Sequence, residues 1–505
     1  MPDYLLGIDN GGTVSKVVIF DIHGNEIQVS SRKVAAQFPK PGWTERQMAQ
    51  VWSSTADAIQ EAITKSGIDP KNILAIGNTS HGNGLYLLDK ARQPLRAAML
   101  SLDTRAEKIV SMWNESGVFD RVWNATFQQL WPGQPPALLA WLKQIEPEIY
   151  NRIGSVLLSK DYIKYCLTGE ISTDFTDISG TSLFDLPGQA YSDDLLEAFG
   201  IPEIRTALAP PVASHEVIGR VTTEAAQATG LKAGIPVVCG IFDVSACALG
   251  TGAIDPGQAC IIAGTWSINE VVTDHIIDDK QLFMNSIYIG DSFMMIEASA
   301  TSATNLEWFV NNFCEEEKAE AQSRGISVYE VCNEIVEKLP PGSTNIIFHP
   351  FLFGSNVQST ARAGFYGIAG WHDKRHMLRA VYEGVVYGHL SHIEKLRSAG
   401  IRLESARFTG GGARSRVWSQ MFADTINISM EVVNGEEMGA RGAAMTAGIG
   451  AGVYRDYADA VAQCVRVTGR FQPDAEATPI YLERFAEHRH LIQIMQDAWN
   501  RLNKL

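Results

Sequence analysis

The opening of the chain consists of two apolar runs separated by a short polar turn. In LLGIDNGGTVSKVVIF (residues 5–20), Asp9 closes the first run and Lys16 precedes the second. Short apolar runs bounded by glycine and asparagine predict a strand, a turn and a second strand. Residues 23–25, His-Gly-Asn, predict a further turn after the second strand.

Helical periodicity follows over residues 45–64, with Thr44 as the predicted N-cap. The apolar face of that helix carries Trp52, Ala56, Ile59 and Ile63. A short strand is predicted over residues 73–77. It runs into a polar segment at residues 78–84, and residues 86–89 resume as a strand.

A similar pattern begins again near the middle of the chain. Residues 235–241 predict a buried strand, and GQACIIAGTWSINEVV (residues 257–272) predicts a strand, a Gly-Thr turn and a strand. Residues 374–399 are strongly helical in period, and residues 439–452 are rich in alanine and glycine. We therefore expect two domains, residues 1–250 and 251–505, packed across a cleft because no low-complexity linker separates them.

The composition indicates a folded protein of more than one core. The chain has 505 residues, 45% hydrophobic and 20% charged. Its formal charge of −15 argues against a nucleic-acid or anionic-membrane surface, since both require dense lysine and arginine. No run of about eighteen apolar residues and no signal peptide occurs, so a cytoplasmic location is expected and no membrane span. Seven scattered cysteines without a CxxC pair indicate buried free thiols.

The turn at residues 9–13 offers chemistry as well as chain reversal. Asn-Gly is a strong signal for a tight hairpin, so a purely structural turn is one interpretation. The other is a phosphate-binding hairpin, because Gly11 and Gly12 allow close backbone approach, Thr13 adds a hydroxyl and Lys16 a charge. Asp9 would then hold Mg²⁺ through water. The stretch matches neither a P-loop nor a GxGxxG loop.

Two further stretches carry candidate groups. In VVCGIFDVSACALGTG (residues 237–252), Asp243 is the lone carboxylate in an apolar run, and it is either a helix N-cap or a catalytic base. In RFTGGGARSRVW (residues 407–418), the glycines form either a plain strand-to-helix turn or a bare surface for adenine. Ser415 or Arg416 would lie at the rim of that surface.

Polar residues after two predicted strands of the first half form a fourth candidate site. His81 follows one strand, and Asp103 and Arg105 lie in LSLDTRA (residues 100–106) after the next. A lone histidine is more often a core residue with its hydrogen bonds satisfied. Together the three side chains would form a pocket of donors and acceptors suited to a polyol.

Taken in order, these motifs resemble the FGGY family of carbohydrate kinases, which share the actin-like ATPase fold with glycerol kinase. The resemblance extends over nearly the whole chain. The motifs that carry it are residues 9–16, SKDYIKYCLTGEISTDFTDISGTSLFD (residues 159–185), the strand leading to Asp243, Gly264-Thr265, GGGARSRVWSQMFAD (residues 410–424), HPFLFGSN (residues 349–356) and residues 383–397.

The resemblance implies an α/β fold with two actin-like (ribonuclease H-like) ATPase domains and a catalytic cleft between them. Residues 1–250 would bind the sugar, and residues 251–505 the nucleotide. Asp243 would be the general base, with Asp9 and Asp243 near Mg²⁺. His81 and Gly82 would touch the sugar. The nucleotide-binding residues implied by the family are Gly11, Gly12, Thr13, Lys16, Gly264, Thr265, Gly411, Gly412, Ala413 and Arg416.

The chain departs from some members of the family. The Arg-Glu pair of glycerol kinases is absent, and Asn83-Gly84 is inserted relative to ordinary xylulokinases. GLYLLDK (residues 84–90), QLWPGQPP (residues 129–136), GIFDVSACAL (residues 240–249) and EASATSATNLEWF (residues 297–309) most resemble the L-xylulose kinase branch.

An ATP- and Mg²⁺-dependent kinase of a ketopentose, first L-xylulose, is the expected function. Its expected partners are ATP and a small sugar, and it is expected to form a homodimer. The alternatives are a D-xylulose, pentitol or tetritol kinase, an actin- or chaperone-like ATPase, and a sugar-responsive regulator without turnover.

Overall fold

The computed structural model describes residues 3–355 and 357–504. The chain forms two compact units, each assembled from three segments. The first unit comprises Met1–Pro256, Val272–Met295 and Glu437–Arg466, and the second comprises Gly257–Val271, Ile296–Glu436 and Val467–Leu505. The division into domains 1–250 and 251–505 stays a prediction. None of the described helices is long and apolar enough to cross a membrane.

The strands follow in chain order. They are β1 (Tyr4–Asn10), β2 (Val14–Asp21), β3 (Glu26–Lys33), β4 (Glu45–Arg46), β5 (Ile73–Ser80), β6 (Tyr86–Asp89), β7 (Ala98–Met99), β8 (Ile153–Leu157), β9 (Thr173–Asp174), β10 (Phe184–Asp185), β11 (Ala190–Tyr191), β12 (Pro211–Val212), β13 (Val217–Arg220), β14 (Pro236–Val238), β15 (Ile241–Phe242), β16 (Gln258–Ala263), β17 (Ser267–Thr273), β18 (Met284–Ile287), β19 (Phe293–Ser299), β20 (Ile347–His349), β21 (Gly364–Tyr366), β22 (Ser405–Thr409), β23 (Met430–Val433) and β24 (Val467–Phe471).

The α-helices are numbered in the same way. They are α1 (Met48–Ser66), α2 (Glu107–Glu115), α3 (Val118–Thr126), α4 (Pro135–Ile145), α5 (Pro147–Tyr150), α6 (Ser159–Thr168), α7 (Phe175–Ile178), α8 (Asp193–Ala198), α9 (Thr223–Thr229), α10 (Asp243–Thr251), α11 (Thr304–Phe313), α12 (Glu315–Arg324), α13 (Val328–Glu337), α14 (Lys374–Ser398), α15 (Arg416–Ile426), α16 (Met438–Gly450), α17 (Tyr457–Cys464) and α18 (Ala477–Leu502). Short 3₁₀ helices cover Pro70–Asn72, Pro202–Ala207 and Gly411–Arg414.

The main sheet of the first unit is mixed. Its order is β13–β14–β5–β1–β2–β3, and β15 also pairs with β5. Strand β5 runs parallel to β1, β14 and β15, whereas β1, β2 and β3 form an antiparallel meander. The parallel strands therefore end at one edge of the sheet, and polar side chains follow them there.

Helix α16 packs directly on this sheet because glycines remove the side chains between them. A Cβ on Gly7 of β1 would clash with the Ala440 carbonyl, and a Cβ on Gly77 of β5 would clash with that of Ala443. Gly442 is equally close to the backbone of Ala246 in α10. The alanine- and glycine-rich composition of residues 439–452 thus serves close packing against β1, β5 and α10.

The second unit contains a comparable sheet, with β17–β16–β22–β23–β24 in that order. Strand β16 pairs antiparallel with β17 and parallel with β22. The predicted second strand–turn–strand is therefore confirmed as β16 and β17, and the predicted long helix is confirmed as α14.

One local prediction was wrong, and two of the alternatives left open by the sequence are not found. The first helix begins at Met48 with Gln47 at its N-cap, because residues 45–46 form β4, so Thr44 does not cap it. Asn10 and Gly11 do not adopt left-handed backbone angles, so the tight turn expected from Asn-Gly does not form there. Asp243 is the first helical residue of α10 rather than its N-cap, which is Phe242.

The structure of the cysteines agrees with the prediction of free, mostly buried thiols. All seven are free thiols, five of them buried and Cys166 and Cys247 half-buried.

Candidate active site

Three predicted site residues lie at or just after the ends of neighbouring parallel strands of the first unit. In the sheet register, Thr79 of β5 lies beside Asp9 of β1 on one side and beside Ile241 of β15 on the other. Asp243 comes two residues after Ile241, and His81 comes directly after β5. The sheet therefore brings Asp9, His81 and Asp243 to one edge, the usual ligand position in an open α/β sheet.

The two carboxyl groups at this edge are shifted towards their protonated forms. Burial, and after it the negative charge of Asp9, raises the pKa of Asp243 to about 8. Burial also raises the pKa of Asp9 to about 6, with Lys16 lowering it and Glu437 raising it. Asp243 accepts a backbone hydrogen bond from the N–H of Val244 at 2.8 Å. Such shifts by burial and a like charge are typical of functional carboxylates.

The same pair fits a divalent cation. Two neighbouring half-buried carboxylates repel each other, and a dication beside them would stabilise their ionised forms. Mg²⁺ commonly takes only one or two protein carboxylates and completes its shell with water and phosphate oxygens. Among residues 3–355 and 357–504, no group of three or more histidines, cysteines and acids is arranged to hold a metal ion.

The hairpin between β1 and β2 leaves open space at Gly12. The turn is closed by the Gly11 N–H, which donates to the Val14 carbonyl at 3.0 Å. Gly12 and Thr13 are exposed. A Cβ on Gly12 would meet no protein atom within 4 Å, and its φ is not left-handed. Neither sterics nor backbone strain within the protein therefore requires glycine there, and the space beside Gly12 is open.

Lys16 has a partner that the sequence did not reveal. Its ammonium nitrogen lies 2.7 Å from a carboxylate oxygen of Glu437, the residue before α16. The Glu437 backbone N–H in turn donates to Glu26 at 2.9 Å. Asp9 lies beside this helix start, because a Cβ on Gly439 would be 2.7 Å from its Oδ2 atom. Asp9, Glu437 and Lys16 therefore form one charged cluster beside the hairpin.

His81 lies in a buried polar group with two residues not predicted for the site. Its Nε2 atom is 3.3 Å from the Tyr86 hydroxyl. Arg46, buried in β4, donates from Nη1 to the Gly11 carbonyl at 3.1 Å. Burial, and after it the positive charge of Arg46, lowers the pKa of His81 to about 4. His81 is therefore a neutral imidazole at physiological pH.

Gly82 permits close packing behind the site. A Cβ there would clash with the Phe242 ring and lie 3.1 Å from Oδ1 of Asp177. The glycine thus lets the segment after β5 approach the residue that precedes Asp243.

Asp103 and Arg105 are not joined to His81 by a hydrogen bond or ion pair in the described part of the chain. Both Asp103 oxygens accept bonds from Arg105, at 2.7 and 2.8 Å, and one also accepts the Thr44 N–H at 2.7 Å. Arg105 also binds Glu45 at 2.7 Å and stacks on Trp43, 3.9 Å from the ring centre. The pair forms a buried ion-pair network whose Asp103 oxygens are already occupied.

The motif at residues 159–185 builds the buried support of the Asp243 strand. The ammonium nitrogen of Lys160 contacts Asp161 at 2.7 Å, Asp174 at 2.9 Å and Asp177 at 3.5 Å. Asp174 accepts the Thr176 hydroxyl at 2.6 Å, and Thr176 accepts the Phe242 N–H at 2.9 Å. This chain of bonds fixes the backbone directly before Asp243.

The second unit contains a cavity of about 500 Å³. Three residues predicted to bind nucleotide line it: Gly264, Thr265 and Gly411. The other lining residues are Ala303, Thr304, Leu306, Glu307, Ser327, Tyr329, Glu330, Asn333, Tyr382, Arg414, Ser415 and Trp418. The aromatic rings and the bare glycine surface fit a flat heteroaromatic ligand.

The other residues of the second unit that were predicted to bind nucleotide, Gly412, Ala413 and Arg416, do not line this cavity. Gly412 is buried, and a Cβ there would be 2.9 Å from Cβ of Ala263. Ala413 follows it in the same 3₁₀ turn, where its N–H donates to Gly410 at 3.1 Å. Arg416 is exposed and lies over the Phe471 ring at 5.6 Å. Arg414 and Ser415 line the cavity at this turn instead.

Several curated proteins are similar over their full length. One is the L-xylulose/3-keto-L-gulonate kinase of Escherichia coli (strain K12), which is 38% identical over 100% of this chain and 99% of its own. Another is a probable L-xylulose kinase of Haemophilus influenzae, 38% identical over 97% of this chain and 98% of its own. The xylulose kinase of Bacillus subtilis is 28% identical over 98% and 97%.

Solved structures and family models agree with these relatives. The crystal structure of xylulose kinase from Rhodospirillum rubrum matches with a TM-score of 0.87 and 25% identity, covering 98% of this chain and all of the other. Residues 4–250 match the N-terminal domain of the FGGY family of carbohydrate kinases, and residues 259–451 match the C-terminal domain. The chain is therefore a mixed α/β, two-domain enzyme, and it belongs to the FGGY family of carbohydrate kinases.

Proposed function

We propose that the protein transfers the γ-phosphoryl group of ATP to a terminal hydroxyl of a ketopentose or related ketose, with Asp243 as the general base. The observation that carries the proposal is Asp243 itself. It follows β15 at the ligand edge of the sheet, beside Asp9, and its pKa is raised to about 8. A carboxylate with a pKa near neutrality is suited to accept the proton of an attacking hydroxyl.

Other residues of the first unit bind the sugar and the transferred phosphoryl group. His81 and Gly82 contact the sugar, with the neutral imidazole exchanging hydrogen bonds with its hydroxyls. The backbone of Gly11 and Gly12, the Thr13 hydroxyl and the Lys16 ammonium hold the transferred phosphoryl group. When bound, Mg²⁺ offsets the negative charge of the phosphate oxygens and of Asp9 and Asp243. Phosphoryl transfer depends mainly on such positioning and charge neutralisation.

The cavity of the second unit takes the nucleoside end of ATP. Gly264 and Thr265 bind phosphate, and the surface around Gly411 takes the base. Gly412, Ala413 and Arg416 support this turn from behind. This assigns sugar and phosphate binding to residues 1–250 and nucleotide binding to residues 251–505.

The substrate assignment combines the site with the relatives. Relatives named for L-xylulose and for 3-keto-L-gulonate are 38% identical, and those named for xylulose are 28% identical. L-xylulose is therefore the first candidate and D-xylulose the second, ahead of pentitols and tetritols. Asp103 and Arg105 border the sugar site as a fixed ion pair, because both Asp103 oxygens already accept hydrogen bonds from Arg105.

An ATP-coupled assay tests the proposal against the other classes. Purified protein with Mg²⁺ is supplied with ATP alone, with ketopentoses, with pentitols and with keto-acid sugars. A kinase consumes ATP strongly only with its sugar. An actin- or chaperone-like ATPase turns over without sugar, and a sugar-responsive regulator never does. The expectations of a cytoplasmic location and of a homodimer remain predictions.

A further inference from the structure

One amide side chain in the cavity of the second unit is held in a fixed orientation. Asn333 lies on α13 and lines the cavity together with Gly264, Thr265 and Gly411. Its Oδ1 atom accepts the Ser415 hydroxyl at 2.7 Å and the Tyr382 hydroxyl at 3.0 Å. Both lone pairs of the amide oxygen are therefore occupied.

The hydrogen bond from Ser415 keeps the side-chain amide of Asn333 from flipping by 180°. Ser415 is the N-cap of α15, and its oxygen accepts the Trp418 N–H at 3.1 Å. The Ser415 hydroxyl can therefore donate its own hydrogen bond, and Oδ1 of Asn333 accepts it. The amide nitrogen is left on the other side, without a hydrogen-bond partner within residues 3–355 and 357–504. It is not among the polar atoms sealed from solvent.

The surroundings indicate which ligand group meets this nitrogen. The rings of Tyr329, Tyr382 and Trp418 and the bare backbone of Gly411 form walls for a flat ring system. Glu307 and Glu330 also line the cavity, and their carboxylates disfavour phosphate at this end while accepting bonds from hydroxyls. A primary amide offers two donors, and an unprotonated ring nitrogen of a purine is the matching acceptor.

We propose that Asn333 reads the base of the bound nucleotide by donating a hydrogen bond from its amide nitrogen to a purine ring nitrogen, with Ser415 and Tyr382 as positioning residues. The inference rests on the proposed function, in which this cavity holds the nucleoside of ATP. It adds a specificity-determining contact from a helix that carries none of the glycine motifs.

Direct binding measurements test the contact. The variant Asn333→Asp keeps the shape and still accepts the two hydroxyls, but presents an acceptor where the amide presented a donor. We expect the Kd for ATP to rise roughly 10- to 100-fold, since a ligand acceptor is left unpaired. Inorganic tripolyphosphate, which has no base, should bind wild type and variant equally. The matched control is Asn312→Asp, which adds the same charge on an exposed part of α11, outside the cavity lining.

The outcomes separate the inference from the proposed function. If wild type binds no ATP, the proposed nucleotide site fails. If wild type binds ATP and Asn333→Asp binds it equally well, the inference is overturned. Equal weakening of ATP and tripolyphosphate also overturns it, because the loss would then not lie at the base.

A second measurement uses only the wild-type protein, so it does not depend on how a variant folds. ATP analogues that replace ring nitrogen N1, N3 or N7 singly with C–H are titrated in turn. One analogue should bind roughly tenfold or more weakly than ATP, and Asn333→Asp should not distinguish that analogue from ATP. Equal binding of all three analogues and ATP by wild type contradicts the contact. Tyr382→Phe removes one hydroxyl donor and should weaken ATP binding less than Asn333→Asp does.

Discussion

Lys16 and Glu437 are 421 positions apart in the sequence, yet the Lys16 ammonium nitrogen lies 2.7 Å from a Glu437 carboxylate oxygen. Glu437 precedes the helix that packs on β1, so the fold of the first unit brings it under the hairpin. Lys16 remains 39% exposed in this pair, so the ion pair contributes little to stability, about 1 kcal/mol at most. Its position beside Asp9 matters for charge at the site rather than for folding.

Replacing Lys16 should therefore affect ATP use and leave the fold intact. We expect Lys16→Met to lower kcat/KM for ATP roughly 10²- to 10³-fold, because one charged donor to the transferred phosphoryl group is lost. The KM for the sugar should change little. Lys65→Met is the matched control, since Lys65 pairs with Glu61 on α1, away from the hairpin. Wild-type ATP kinetics in Lys16→Met would contradict the assignment.

How far the sequence predicts this site depends on where each partner lies in the chain. The strands and their terminal residues, Asp9, His81 and Asp243, follow from local apolar patterns and family motifs. Glu437 and Arg46 do not, because their roles depend on contacts made by distant elements. Arg46 was also hidden by a helix predicted to begin three residues too early, at a point where residues 45–46 form β4.

One dipeptide shows the limit of local rules directly. Asn83-Gly84 adopts left-handed angles at both residues, as a tight Asn-Gly turn requires, with φ of 59° and 74°. Asn10-Gly11 does not, because Asn10 stays in β1, paired with Ser15 of β2 and with Ser80 of β5. Sheet pairing on both sides overrides the local preference, and the chain reverses later, through Gly12 and Thr13.

If Asp243 is the general base, its replacement should reduce turnover without weakening the binding of ATP or sugar. We expect Asp243→Asn to retain ATP and sugar binding but to lose roughly 10²–10⁴-fold in kcat. In wild type, kcat/KM for the sugar should rise with pH and level off at or below about pH 8, because the base acts only when ionised and Mg²⁺ favours that form. Steady-state kinetics and calorimetric titration measure the two properties. Near-normal turnover by the variant would reject Asp243 as the base.

The same carboxyl group should lower stability as the pH rises. Burial raises the pKa of Asp243 from 3.8 to about 8, so the folded protein holds a proton that the unfolded chain has released between these values. The contribution of Asp243 to the stability of wild type therefore falls across this range. Without Mg²⁺ or nucleotide, Asp243→Asn should have a higher Tm than wild type at pH 8 and an equal one near pH 4. Asp9→Asn should show a smaller gain, since the pKa of Asp9 is raised only to about 6. A Tm difference that does not change with pH would contradict this origin.

The open space at Gly12 predicts that a larger side chain there would exclude the ATP phosphate without disturbing the fold. A Cβ there meets no protein atom within 4 Å, so Gly12→Val should leave the Tm unchanged. Its side chain would occupy the space assigned to phosphate, and kcat/KM for ATP should fall about 10²-fold. Gly370→Val is the matched control, because Gly370 also has ordinary backbone angles and open surroundings. Full kinase activity in Gly12→Val would show the turn to be purely structural.

The neutral state of His81 predicts how the sugar side responds to mutation and pH. Burial and the charge of Arg46 hold the pKa of His81 at about 4, so its protonation state does not change between pH 6 and 8. The KM for the sugar should therefore stay flat over that range. His81→Ala should raise it roughly 10- to 100-fold, because sugar hydroxyls and the Tyr86 hydroxyl lose a partner, and the KM for ATP should change far less. A parallel rise in both KM values for His81→Ala would refute the placement of His81 on the sugar side.

The polar groups of the sugar site also predict which substrates are accepted. A pocket built to bind several hydroxyls rejects shorter analogues, so L-xylulose or D-xylulose should be phosphorylated and glycerol should not. Efficient phosphorylation of glycerol with both xylulose enantiomers inert would refute the substrate assignment.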